Sequence, residues 1–143
     1  LRRVISFNSD NRALSIEASM NEYSLFFDGA WKAGISSFGF TLFLDNAQID
    51  FGYGSTFGDK HDAEAFALCQ GLDCFIRRID RPSATLHIYG DSQFIINTAY
   101  KNSIIRSKLK QIEQMTSGIK ISWIPRELNS LANNLAKKLR SLQ

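Results

Sequence analysis

Proline and cysteine are scarce in this 143-residue chain, with two of each, and no apolar run is long enough to cross a bilayer. The missing span, together with the lack of a signal-peptide pattern, argues against a membrane protein. Cys69 and Cys74 fit neither a disulfide framework nor a zinc spacing, which points to a reduced, intracellular setting. No repeat, low-complexity linker or domain boundary interrupts the chain. Its length suffices for one domain with a proper core and falls short of two ordinary ones. Hydrophobic content of 44% and charged content of 22% are those of a soluble globular protein. The expectation is a monomeric domain, and the first residue, Leu1 and not Met, suggests a piece of a longer polypeptide or a processed product.

Net charge is only +3, but it is unevenly placed. Residues 1–100 carry 8 basic and 12 acidic side chains, whereas residues 101–143 carry 9 basic and 2 acidic. A basic segment beside an acidic centre suits a polyanion held by its backbone. The same charges also suit a solvated helix face.

Ser24-Leu25-Phe26-Phe27-Asp28-Gly29-Ala30 is the stretch around which the rest is arranged. Its apolar run without alternation predicts a strand buried on both faces. The strand ends in a carboxylate, which is costly to bury without a cation or hydrogen bonds. Gly29 then allows a sharp turn and close approach of a ligand.

Residues 1–21 predict a short hairpin or an extension, with a turn at Asn8, Ser9, Asp10 and Asn11 between Val4–Phe7 and residues 13–16. After the first strong strand, Phe38, Phe40, Leu42 and Leu44 alternate, and so do Ile49, Phe51 and Tyr53 beyond the Asp45-Asn46 turn. Three such strands with short connections predict an antiparallel meander. From Asp62 the period becomes helical through Ala65, Leu68, Leu72, Phe75 and Ile79, with Pro82 beyond the end. A fourth strand over residues 86–89 leads to Gly90-Asp91-Ser92 and a short helix around Phe94, Ile95 and Ala99. Ile105, Leu109 and Ile112 predict another helix that ends at Gly118. A fifth strand holds Ile119, Ile121 and Trp123. Leu128, Leu131, Leu135 and Leu139 predict one final amphipathic helix.

Acidic residues fall at defined places on this plan. Asp28 and Asp91 end strands, and Glu64 lies in the first turn of the first long helix, on the face of Leu68. Singly, each has a plain reading: a turn Asp, a dipole-complementing Glu, a helix N-cap. Together, three converging carboxylates would repel one another without a metal, and hard oxygen ligands of this kind suit Mg²⁺ or Mn²⁺.

Phe27-Asp28-Gly29-Ala30, His61-Asp62-Ala63-Glu64-Ala65, Tyr89-Gly90-Asp91-Ser92-Gln93, Trp123-Ile124-Pro125-Arg126-Glu127-Leu128-Asn129 and Leu131-Ala132-Asn133-Asn134-Leu135-Ala136 together resemble type 1 ribonuclease H. The resemblance is closest to the branch found in reverse-transcribing elements and in plant and microbial relatives, and it covers residues 23–139. It implies an α/β, ribonuclease H-like fold over residues 22–143. The sheet would be mixed and five-stranded, with three antiparallel strands plus two parallel to the first, flanked by helices. It implies an endonuclease that hydrolyses the RNA strand of an RNA/DNA hybrid with two Mg²⁺ ions, for which Mn²⁺ can substitute. Asp28 would bridge both ions, and Glu64 and Asp91 would hold one of them. Gly29, Ala30, Gln93, Asn129 and Arg126 would contact substrate, with Gln93 at the minor groove where the 2′-hydroxyl marks RNA.

The chain departs from that family at three points. The final-helix pattern Asn-x-x-Ala-Asp-x-Leu-Ala holds Asn133 at its Asp, which keeps the shape and one oxygen but not the charge. A catalytically decayed nucleic-acid-binding module would explain this, as would a deliberate Asp→Asn exchange. The sparing of Asp28, Glu64 and Asp91 favours the exchange. The loop before the final helix lacks the His that relatives often carry there. The short link near Lys101-Asn102-Ser103 leaves no room for a basic protrusion, so Arg106, Lys108, Lys110 and the Lys137-Lys138-Arg140 cluster stand as alternative phosphate contacts. Exonuclease and integrase relatives share such acids, but Ala63-Glu64-Ala65 and Gly90-Asp91-Ser92 argue against them.

Overall fold

A five-stranded mixed sheet carries the acids. The computed structural model describes residues 4–7, 13–17 and 21–141, with side chains from 21 to 139. Strands β1 (Val4–Phe7) and β2 (Ala13–Glu17) pair antiparallel in a sheet of their own. The turn expected at Asn8 to Asn11 lies outside the described residues. The main sheet comprises β3 (Glu22–Lys32), β4 (Ile35–Leu44), β5 (Ala47–Thr56), β6 (Thr85–Gly90) and β7 (Gly118–Trp123). Its order is β5-β4-β3-β6-β7. The first three strands form the expected antiparallel meander, and β6 and β7 run parallel to β3. Helices α1 (Lys60–Arg78), α2 (Gln93–Thr98), α3 (Ser103–Met115), α4 (Ser130–Ala136) and α5 (Lys138–Ser141) complete the fold. Among the described residues no helix is long and apolar enough to cross a membrane.

The core lies between the sheet and α1 with α3. Leu25, Phe27, Leu68, Leu72, Phe75, Leu86, Ile88, Ile105, Leu109 and Ile112 are all fully buried, each worth roughly 1.5–3 kcal/mol of transfer free energy. Helix α1 starts before Asp62. Asp59 accepts from the Asp62 backbone while the Asp62 side chain accepts from the Asp59 backbone, a capping box that ties down two orphan amides. Glu64 therefore sits in the second turn and not the first.

Several expectations change with the packing. Phe26 is half-buried, not enclosed, and stacks on Tyr89 with ring centroids 4.9 Å apart. The alternation of Phe51 and Tyr53 marks the β5 face away from α1, and Phe51 is 52% exposed. On the α1 side β5 presents Gly52 and Gly54, whose missing side chains make room for the rings of Phe40 and Phe38. Helix α3 ends at Met115, and Gly118 opens β7.

The final helix is neither continuous nor leucine-faced. A 3₁₀ turn over Arg126–Asn129 precedes α4, which stops at Ala136 before α5. Leu128 and Leu131 are 66% and 52% exposed, whereas Ala132 and Ala136 are buried. The cause is Gly39 on β4. A Cβ there would lie 2.4 Å from the Ala136 nitrogen and 2.7 Å from the Ala132 oxygen, so the helix approaches the sheet backbone to backbone. Ala132, Ala136 and the Cβ of Leu135 lie against it, while Leu128 and Leu131 turn outward. The Ser37 hydroxyl fixes this approach by donating to the Ala136 carbonyl.

Candidate metal centre

Parallel pairing of β3 with β6 brings two of the acids together. Phe27 lies opposite Gly90 in the ladder, so Asp28 and Asp91 follow side by side. Asp91 lies just past the end of β6, whereas β3 runs on to Lys32 with Asp28 paired to Gly39, so Asp28 does not end its strand as expected and Gly29 makes no turn. Glu64 joins them because α1 crosses β3 at Gly29, backbone against backbone. A Cβ on Gly29 would lie 2.3 Å from the Glu64 nitrogen and 2.5 Å from the Ala63 carbonyl carbon. One carboxylate oxygen from each of Asp28, Glu64 and Asp91 lies within 4.8 Å of the others. Asp28 and Glu64 are buried and Asp91 is half-buried.

Burial, then the nearby Asp91 charge, pushes the Asp28 carboxyl up to about 7, against a lowering hydrogen bond from Asn133. Burial also raises Glu64, opposed by a hydrogen bond from Ser92 and by the charge of Lys60. Both shifts favour the protonated carboxyl over the charged one, and a bound cation acts the other way. A donor set made of carboxylate oxygens fits a hard divalent ion, and Asp28, Glu64 and Asp91 are the residues that would hold it.

The flanking amides are placed differently from one another. Asn129, expected at the substrate, is 1% exposed. Its side-chain nitrogen donates to the Phe27 carbonyl at 2.9 Å and to Oδ2 of Asp91 at 3.3 Å. Its Oδ1 has no hydrogen-bond partner among the described residues. Asn133, expected as a fourth ligand, reaches the cluster from α4, but its nitrogen faces inward and donates to Oδ2 of Asp28 at 2.7 Å. Asp91 does not cap α2; Ser92 does, accepting from the Ile95 amide. Gln93 is exposed at the first position of α2 and so does not cap it either. Gly29, Ala30 and Arg126 gather around one opening beside the acids.

Three nearby residues were not singled out from the sequence as parts of this site. Nδ1 of His61 lies 3.7 Å from Oε1 of Glu64, and its ring meets Phe94 at 4.6 Å. Lys60 bears on both Asp28 and Glu64. Trp123 donates from its ring nitrogen to the Asp91 carbonyl at 3.1 Å. The i, i+3 and i, i+4 spacing of His61 and Lys60 from Glu64 was the signal that could have found the first two.

The model of a family described as reverse transcriptase-like matches residues 26–139. Among solved structures, the N-terminal RNase H domain of Rv2228c from Mycobacterium tuberculosis superposes with a TM-score of 0.72 at 16% identity, covering 85% of this chain and 94% of that one. RNase H1 from the halophilic archaeon Halobacterium salinarum gives 0.69 at 20% identity, over 85% and 99% of the two chains. LC11-RNase H1, solved in complex with an RNA/DNA hybrid, gives 0.68 at 16% identity over 85% and 99%. At these identities the likeness speaks to the fold.

Proposed function

The chain belongs to the reverse transcriptase-like family, and from that membership and the acid cluster we propose that it acts on RNA/DNA hybrids, hydrolysing the RNA strand as a ribonuclease H. The observation that carries this reading is the convergence of Asp28, Glu64 and Asp91 on one point within 4.8 Å. The hybrid seen with the LC11 relative supports the choice of substrate.

Asp28, Glu64 and Asp91 would hold Mg²⁺, with Mn²⁺ able to replace it. A divalent ion in such a site supplies Lewis-acid stabilisation of charge on phosphate oxygens and a more acidic water. The chain's own residues do the positioning. Asn129 orients the Asp91 carboxylate and ties α4's approach to β3 through the Phe27 carbonyl. Gln93, exposed two residues beyond Asp91, would read the minor groove.

Asn133 sets the level of activity. Its amide nitrogen occupies a lone pair of Asp28, and it brings no charge for a second ion. One bound ion and slow hydrolysis are therefore the expected state of this chain. The same hydrogen bond favours a second reading, a decayed hybrid-binding module. Cleavage of a labelled RNA/DNA hybrid by the chain and by Asn133→Asp separates the two. Strong cleavage only by Asn133→Asp supports a ribonuclease H disabled at one ligand. Silence in both, with hybrid binding retained, replaces it with the binding module.

A further inference from the structure

Beside the acids, Lys60, Arg126 and Lys137 line one opening of about 270 Å³ whose other walls are Gly29, Ala30 and Trp31. The three cations come from separate elements: the first residue of α1, the turn before α4, and the residue that ends α4. None of them forms a salt bridge among the described residues, whereas Arg78, Arg81 and Lys108 each do. Lys60 bears on Asp28 and Glu64, yet three like charges around one opening still repel one another, and an anion in it lowers that cost. Gly29 and Ala30 directly follow Asp28 along β3, so the opening begins within two residues of the acids, about 7 Å of strand. That distance is one a polynucleotide strand bridges with successive phosphates, which recur every ~3.4 Å of helix axis.

We propose that Lys60, Arg126 and Lys137 form a phosphate subsite that holds a backbone phosphate of the strand lying over the acid cluster; this rests on the reading of the chain as a hybrid-directed nuclease. Three carboxylates repel an approaching phosphodiester, and the cations answer that repulsion at its edge. Arg126 supplies a planar fork that matches two phosphate oxygens. The two lysines supply compact charges from opposite sides of the strand end. The site reads charge and not sugar, so it serves either kind of strand.

The test is fluorescence anisotropy of the full chain, in EDTA, with a short labelled RNA/DNA hybrid and with a DNA duplex of the same sequence. The K60Q/R126Q/K137Q variant should bind about tenfold or more weakly at ~0.1 M salt, with a salt slope shallower by about one for each phosphate left without its cation. The control R77Q/K101Q/K120Q removes three exposed cations elsewhere on the fold and should change affinity little. K137R should retain parental binding, and matched thermal melts verify folding. Unchanged affinity in K60Q/R126Q/K137Q overturns the subsite. An equal loss in the control also overturns it, because the attraction is then general. Hybrid and duplex bound alike, both weakened by the triple substitution, would leave the subsite standing and remove the hybrid-directed reading.

Discussion

The side-chain nitrogen of Asn133 lies 2.7 Å from Oδ2 of Asp28 and donates to it. An aspartate in the same place would turn an oxygen toward Asp28, and two like charges would need a cation between them. The exchange thus swaps a metal demand for a hydrogen bond. Calorimetric titration with Mg²⁺ should give one ion for this chain and two for Asn133→Asp, whose hybrid cleavage should rise by about 100-fold, at the upper end of what one ligand-shell residue controls. A stoichiometry of two in the parent would remove the basis for this expectation.

Acidity should also be visible in stability. Asp28 is held up to about 7, chiefly by burial and then by Asp91. Between the ordinary carboxylate range and that value, the unfolded chain loses a proton that the native chain keeps. The native state binds more protons there, so stability is full at low pH and falls as pH rises toward 7. This contribution should make metal-free protein melt lower at pH 7.5 than at pH 5. Asp28→Asn should remove most of the difference, on the order of 2 kcal/mol. Mg²⁺ should raise the melting temperature at pH 7.5 and do little at pH 5.

Asn129 should act through Asp91. Truncation in Asn129→Ala leaves the Phe27 carbonyl buried without its partner and frees the Asp91 carboxylate. Metal affinity should drop by roughly tenfold, and stability by about 1–3 kcal/mol. A direct role in holding substrate would instead weaken hybrid binding in EDTA and leave metal affinity unchanged. Titration of metal and of hybrid separately decides between them.

The seating of α4 gives a purely structural expectation. Gly39→Ala would drive a methyl into the Ala136 nitrogen and the Ala132 oxygen. The helix must lift, at a cost of about 2–4 kcal/mol. The melting temperature should fall by roughly 10 °C, and Asn133 should leave Asp28. An unchanged melt would mean that α4 is not seated on Gly39.

The cysteines should be quiet. Burial, then the hydrogen bond to Asp50, pushes the Cys74 thiol up to about 12, and burial raises Cys69 as well. Iodoacetamide at pH 8 should label neither until the chain is unfolded, as read by mass spectrometry. Rapid labelling of native Cys74 would contradict its burial behind the Asp50–Arg78 pair, whose nitrogen and oxygen lie 3.1 Å apart.

What the sequence discloses and what it hides divide along a physical line. Period-2 and period-3.6 patterns located β3, β4, α1, β6 and β7, because those elements bury apolar side chains in bulk. Asp28, Glu64 and Asp91 were legible as a set, although only Asp91 stands at a strand end: β3 runs four residues past Asp28, and Glu64 lies in the second turn of α1. The same reasoning failed where a glycine sets the distance. Leu128 and Leu131 carried the hydrophobic signal, yet Ala132 and Ala136 are buried, because at Gly39 the helix meets the sheet backbone to backbone. Phe51 misled in the same way, since Gly52 and Gly54 hold the core-facing positions of β5. The direction of the Asn133 amide and the gathering of Lys60 with Arg126 and Lys137 depend on tertiary packing that no local pattern encodes.

Gly29 has a consequence for descent. The strand that carries Asp28 touches the helix that carries Glu64 through backbone atoms, with no side chain between them. Their spacing is therefore independent of which residues fill the interior. A sequence can exchange nearly every core side chain and still present its two deepest acids at the same separation. One position without a side chain lets the remainder of the sequence wander while the chemistry stays in place.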